Sequence, residues 1–478
     1  MNVLRPAARR MLSGIALGYF MVLLDMTVLS VAEPDLAASL STSMAGLQWA
    51  TTGYTVTFAA LLLSAGAATD RYGAARLFRG GTAVFAAASL LTALAPNLWV
   101  LVALRAVMGV AAAACVPASM AMIARLYPEP GARARAIAAW AATSGLAVAA
   151  GPIAGGALVG VAGWRAVFLI NVPIGLLVLV LTAARTGPHP ERAQPLRRID
   201  WPALTAARTG PQPERAQPLR RIDWPAQIAA AALLALATDT LIAAGARQWP
   251  HAMTALTVTV LSLFVFVRLE RRSHAPVLHR ELIRVGRVRA ALLAGAAVNF
   301  ALSGALFVLP LLLQRHLDAL HTGLAFLPLT VPFAVNPPVT GRIVARVGPF
   351  RPIVAGLALM ATGGSVLAVV LHVSAAYPWL AIGLLLTGFG VSFALPALTA
   401  AMVSAAPAGA TGAAGGVLNA VRQTGATIGV AVMGAAVATG TGTALLLSAA
   451  VCALATAVFA LTGRGAPRRA SVPVESAA

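Results

Sequence analysis

The sequence predicts an all-α polytopic membrane protein with fourteen spanning helices. Three observations lead there. The 478 residues are 59% hydrophobic and only 10% charged, apolar runs of spanning length recur along the chain, and arginines gather in alternate gaps between them. A soluble chain needs far more polar surface, whereas a spanning helix needs about 20 apolar residues and almost no charge. The hydrocarbon core offers no water to free N–H and C=O groups, so such runs must be helical. At about 30 residues per helix and turn, the chain has room for twelve to fourteen spans.

The runs are 11–33, 48–68, 77–95, 98–124, 137–160, 165–184, 226–245, 252–268, 289–313, 322–341, 351–373, 378–402, 416–437 and 441–463. The first follows Arg5, Arg9 and Arg10, and Met11 to Ala32 has the length of a span rather than the short apolar core of a cleaved leader. The tenth is interrupted by Pro328, Pro332, Pro337 and Pro338. With both termini in the cytoplasm, the inside gaps hold Arg71, Arg76 and Arg79, then Arg125, Arg133 and Arg135. Further along they hold the 185–225 loop, seven arginines between Arg268 and Arg289, then Arg342, Arg346 and Arg351, and finally Arg464, Arg468 and Arg469. The outside gaps hold Arg165, Arg247 and Arg315. That alternation is the positive-inside pattern.

The net charge of +21 does not mark a nucleic-acid binder, because the arginines orient membrane segments rather than line one solvated face. No lysine occurs, which excludes both a lysine-bearing phosphate loop and a Schiff-base lysine. ATP-driven transport by this chain alone is therefore not expected; no hydrolytic or redox site is visible, and neither a catalytic site nor a cofactor is expected. Cys115 and Cys452 lie in apolar runs and imply no disulfide framework, and the seven histidines have no metal-ligand spacing. The Ala-, Gly-, Arg- and Pro-rich composition suits a bacterial genome rich in G and C.

Residues 181–203 recur as 204–226, differing only at His189 against Gln212. Both copies are too polar to span and too short for a solenoid. They read as a tandem duplication tolerated in a cytoplasmic loop, with a doubled docking element as the other reading.

Charge inside a membrane is expensive, so each buried ionisable residue is a candidate for function. Asp25 lies in the middle of the first span and shares a helical face with Gly14, Gly18, Met21, Val28 and Ala32. It can carry a proton, or it can be a structural carboxylate satisfied by nearby backbone or hydroxyls. Asp239, in the seventh span, is flanked by Thr238 and Thr240, which could satisfy it locally. Glu33 and Asp35 lie near the outer interface and read as solvated.

Several motifs carry a resemblance. Gly66-Ala-Ala-Thr-Asp70-Arg71-Tyr-Gly73-Ala-Ala-Arg76 resembles the cytoplasmic loop motif of the major facilitator superfamily, and Arg105-Ala-Val-Met-Gly109 resembles its R-x-x-x-G motif. Gly151-Pro152-Ile-Ala-Gly155-Gly156 looks like the motif of antiporters, and it runs into Trp164-Arg165-Ala-Val-Phe-Leu-Ile-Asn171-Val-Pro173-Ile-Gly175. Together with Asn419, Arg422 and Gln423 of Asn-Ala-Val-Arg-Gln-Thr-Gly, these are similar to the 14-helix drug/proton antiporters of the EmrB/QacA type. The chain departs from that pattern at Ala32-Glu33-Pro34, where leucine usually stands at the middle position, and at Met108.

The resemblance implies the major facilitator fold. Its parts would be a six-helix half at 11–184, the 185–225 loop, two extra helices at 226–268 and a second, pseudo-symmetric half at 289–463. It also implies proton-coupled export of drugs or other small amphipathic molecules across the bacterial cytoplasmic membrane by a monomer, with protons, substrate and lipid as partners. Asp25, Arg105 and Asp239 are the candidates for proton coupling, although Arg105 could equally form a structural ion pair and Arg422 could snorkel. The loop motif would supply charge pairs that break as the halves rock. A transporter of a metabolite or lipid, and a non-transporting receptor, are the competing readings. Removal of one 23-residue copy should leave export close to wild type at equal protein level, because the other copy still provides a Pro- and Arg-rich connection; vesicle uptake measures this, and abolished export would favour the docking element.

Overall fold

The computed structural model describes residues 6–183, 223–273, 284–373, 376–405 and 411–464, and all regular structure among them is helical. The duplicated loop lies outside the described residues apart from its edges. The helices are α1 (Pro6–Ser39), α2 (Met44–Tyr72), α3 (Ala74–Ala93), α4 (Leu98–Leu126), α5 (Pro130–Ala162), α6 (Ala166–Leu169), α7 (Asn171–Thr182), α8 (Trp224–Gly245) and α9 (Trp249–Arg272). They continue as α10 (Gly286–Leu313), α11 (Ala319–Ala325), α12 (Leu327–Val335), α13 (Pro337–Val347), α14 (Phe350–His372), α15 (Tyr377–Ala405), α16 (Thr411–Ala436) and α17 (Thr441–Arg464).

Every apolar run of the sequence falls on helix, but not every one forms a single unbroken span. Among the described residues ten helices are long and apolar enough to cross a bilayer, and an eleventh is completed if α2, bent by 64° after Leu62, counts as one. Of the fourteen expected spans, three more are not single long apolar helices. Helix α3 carries Arg76 and Arg79 in its first two turns, which dilutes its apolar character. The sixth run is split at Ile170 into α6 and α7. The tenth is split into α11, α12 and α13, with Pro328 and Pro337 starting the second and third pieces, because a proline has no N–H to continue the preceding ladder.

Polar residues at the ends of helices hold several of the rest. Ser43 accepts from Gly46 N at 3.3 Å, Asn97 from Val100 N at 3.0 Å, and Asp318 from His321 N at 2.8 Å. Glu129 accepts from Gly131 N and Ala132 N ahead of α5, and those backbone donors hold its carboxyl below the usual carboxylate range.

One bundle is formed by α1 to α7, in which α1 packs on α5 and α2 on α4; a second is formed by α10 to α17, in which α10 packs on α16 and α14 on α15. They meet where α2 lies against α16 and α5 against α11 and α12. Helices α8 and α9 pack on each other at the side. Of α9 only Ala252 and Ala255 are buried, while Met253, Leu261 and Phe264 face outward, as suits a helix bathed in lipid.

Glycines set the closest approaches. Gly151 and Gly155 of α5 face Thr27 and Val28 of α1, and a Cβ at Gly155 would sit 2.5 Å from Val28 O. On the other side, Gly156 faces the backbone of Ala319 and Leu320, and Gly323 faces that of Pro152. Gly156→Leu should therefore lower the Tm of the purified protein by several degrees, since overpacking costs about 1–3 kcal/mol. Gly160→Leu, where a Cβ would meet nothing within 4 Å, should leave it unchanged in the same thermal scan.

Candidate functional site

The first half closes around one charge pair. Asp25 on α1 is fully buried and ion-paired with Nη1 of Arg105 on α4, which is 1% exposed. Asn171, the first residue of α7, donates from Nδ2 to Asp25 Oδ1 at 3.0 Å and to Ser89 Oγ at 3.1 Å, and Ser89 donates to Phe168 O at 2.9 Å. Arg105 Nε donates to Ala50 O at 3.3 Å. The guanidinium lies over the Tyr54 ring, 4.7 Å from its centroid, with the Phe168 ring at 5.8 Å.

The local sequence makes this geometry possible. Gly14 faces Leu181 and Thr182 of α7, and Gly18 faces Phe78 of α3 and Val178 of α7. The small residues that share a face with Asp25 thus let α1 sink between its neighbours until the carboxylate meets Arg105 and Asn171. Taking the two ions out of water costs several kcal/mol each, and removing one partner from such a pair costs about 3–5 kcal/mol. A proton placed on Asp25 would cancel its attraction for Arg105 and leave the guanidinium with Ala50 O and the Tyr54 ring.

Beside the pair, between the two bundles, lies a cavity of about 30 Å³. Arg105, Tyr54, Glu33 and Thr51 line it from the first half, and Leu306, Phe307 and Val430 from the second. Glu33 is only 2% exposed, which corrects its expected solvation: α2 and the second half cover the end of α1. Glu33 Oε1 accepts from Thr51 at 2.9 Å, while Oε2 is buried without a hydrogen-bond partner. Asp35, two residues on, accepts from Trp164 N at 2.7 Å. The two halves are also bonded where Gln48 Nε2 donates to Val430 O at 3.1 Å and Ala431 O at 2.8 Å, and where Gln314 Nε2 donates to Val31 O at 2.6 Å.

Among the other residues singled out in the sequence, Asp239 is not brought to this site. It is partly exposed and pairs with His251 Nε2 of α9 at 2.9 Å. Thr238 and Thr240 bond instead to Leu234 O and Leu236 O one turn back, so they do not satisfy the acid. Asp70, Arg71 and Arg76 are exposed, and among the described residues Asp70 pairs with neither arginine. Arg71 lies over Tyr72, and Gly73, with φ 87°, turns the chain from α2 into α3. On α16, Arg422 does not snorkel: its Nε donates to Asn299 Oδ1 at 3.2 Å and its Nη1 to Asn419 Oδ1 at 3.0 Å. Gln423 is buried with Oε1 unpartnered. Among the described residues no group of three metal-ligating side chains occurs.

Comparison with known proteins agrees with the geometry. The sequence profile of the Major Facilitator Superfamily matches residues 15–430. The methylenomycin A resistance protein of Bacillus subtilis is 34% identical over 422 residues, 88% of this chain and 85% of that protein. The multidrug resistance protein Stp of Mycobacterium tuberculosis is 33% identical, over 88% of this chain and 74% of its own. The tetracenomycin C resistance and export protein of Streptomyces glaucescens is 31% identical, over 90% and 76%. A crystal structure of a bacterial homologue of the human lysosomal transporter Spinster superposes with a TM-score of 0.67 over 96% of this chain and 97% of that one, at 16% identity, a likeness of fold alone. The chain belongs to the Major Facilitator Superfamily.

Proposed function

We propose that the chain is an efflux transporter of the bacterial cell membrane that exchanges protons for drugs or other small amphipathic molecules. The observation that carries this reading is the buried Asp25–Arg105 pair beside a cavity shared by both halves, in a chain whose relatives are named for drug resistance and export. In this reading α3, the α6–α7 pair and the α11–α13 series each complete a crossing, giving fourteen. The halves at 11–184 and 289–463 are the moving parts, and 226–268 is an addition.

The cycle follows from charge. Protonation of Asp25 frees Arg105 and loosens the contact between α1 and α4 next to the cavity; deprotonation restores it. Each proton moving down a 100 mV potential supplies about 2.3 kcal/mol. The glycine faces of α5, which touch α1 on one side and α11 on the other, are suited to let the halves roll without opening a leak. Arg422, Asn419 and Gln423 would form a polar face on the second half, and the Asp70–Arg76 loop an inside-face gate.

Asp25→Asn keeps the side-chain volume but removes the carboxylate, so Arg105 loses its counter-ion at a cost of about 3–5 kcal/mol. It should therefore be less stable than wild type and, at equal level of inserted protein, lose about 5- to 150-fold of proton-driven uptake, the usual range of a coupling energy. Asp239→Asn should be mild, as befits an acid outside the central network. Uptake into energised inverted vesicles, with and without a protonophore, compares them; protonophore-sensitive export at wild-type rate by Asp25→Asn would remove this residue from coupling.

Orientation is open to a separate measurement. Cysteines placed at 247 and at 72 should differ, with only the former labelled by an impermeant thiol reagent on intact cells. The native Cys115 and Cys452 are buried and contribute little background. Labelling at 72 alone would invert the topology.

A further inference from the structure

On the second half, Arg422 of α16 carries a charge that no acid answers. Its Nε donates to Asn299 Oδ1 at 3.2 Å and its Nη1 to Asn419 Oδ1 at 3.0 Å, so two of its five N–H groups meet neutral amides. Among the described residues no carboxylate pairs with it. The acids of the membrane-spanning helices are engaged elsewhere: Asp25 with Arg105, Glu33 with Thr51 and Asp239 with His251. Gly295 lets the arginine side chain lie against α10, since a Cβ there would sit 3.2 Å from Arg422 Cγ. Arg422 is about 12 Å inside the span that begins at Ala414, beyond the reach of lipid phosphate. A guanidinium keeps its charge, and at that depth it calls for an anion.

The first half supplies the facing wall. Tyr19 of α1 and Trp140 of α5 stack with ring centroids 3.9 Å apart and planes 13° from parallel. The Tyr19 phenol lies within electrostatic reach of Arg422, where α1 packs on α10. The Trp140 indole Nε1 is buried without an acceptor, a donor that the protein itself leaves unanswered. Tyr19, Trp140 and Arg422 are each half-buried, so a ligand can reach them. A planar fork of N–H donors matches a carboxylate with two parallel hydrogen bonds, and stacked rings match a flat conjugated body. We propose that Arg422, Tyr19 and Trp140 form a substrate subsite for planar conjugated molecules that bear a carboxylate. The guanidinium holds the acid group, and the ring pair covers the conjugated body. The inference rests on the efflux reading above, which makes such an anion the cargo.

The test reads binding to the purified full-length protein in lipid nanodiscs with two probes. One is nalidixic acid in its ionised form; the other is its methyl ester, which keeps the rings and loses the charge. Wild type should hold the acid more tightly than the ester. Arg422→Gln should weaken binding of the acid about ten- to a hundredfold and leave the ester within about twofold, since a charge-assisted contact alone is lost. Trp140→Leu should weaken both about two- to tenfold through the lost stacking. Should Arg422→Gln not accumulate, phenylglyoxal modification of wild-type Arg422 is read by mass spectrometry; the acid should protect it and the ester should not. No binding of the acid, unchanged acid binding or equal losses for both probes in Arg422→Gln, or equal protection by both overturns the proposal. Protonophore-sensitive uptake of the same probes into inverted vesicles separates it from the efflux reading. Uptake of the acid that is unchanged in Arg422→Gln removes the subsite alone, whereas selective binding without uptake of either probe keeps the anion site and removes the efflux reading.

Discussion

An arginine in an apolar bundle cannot shed its charge, so the bundle has to be built around whatever neutralises it. Arg105 is that arginine. Its carboxylate comes from α1, its carbonyl from α2, its aromatic cover from α2 and α6, and the amide that steadies the carboxylate from α7. Five helices are thus positioned by a single guanidinium, which explains why a segment as apolar as α1 keeps an acid at its centre. In a low dielectric such a pair responds strongly to the loss of either charge.

Steric economy accounts for the meeting of the halves. Helix α5 has no side chain between its backbone and α1 at Gly155, nor between its backbone and α11 at Gly156. Two adjacent residues face opposite bundles, so α5 is a spacer whose thickness is the backbone itself. Surfaces of this kind roll against one another with little resistance, but they do not tolerate even a small added side chain.

Much of this was legible beforehand. Long apolar runs and the position of Asp25 follow from period and charge alone, and Arg105 stood out because a buried cation needs a partner. Asn171 stood in a quoted motif but without a partner, and Ser89 did not stand out, because a short polar side chain is not tied to a distant acid until the fold brings them together. Glu33 was misread because distance along a helix measures depth only when nothing covers the end, and Gln48, Gln314 and α16 cover it here. Asp239 is less buried than its place in an apolar run suggested, since a central position says nothing about which side of the helix faces outward. The breaks at Phe326 and Asn336 were announced by Pro328 and Pro337, whereas the one at Ile170 has no such mark in the sequence.

Helix α8 touches both halves. Gln227 is bonded to Ser64 and to Ala60 O on α2, while Gly245 at the far end lies against Ala435 on α16. The first contact is polar and directional; the second is a smooth contact of glycine on alanine. If the halves rotate, the added pair of helices must travel with the first and slide over the second, as a plate riveted along one edge. Helix α8 thus lies along the line where α2 meets α16, tied to the first half by directional bonds and to the second by a bare glycine–alanine contact.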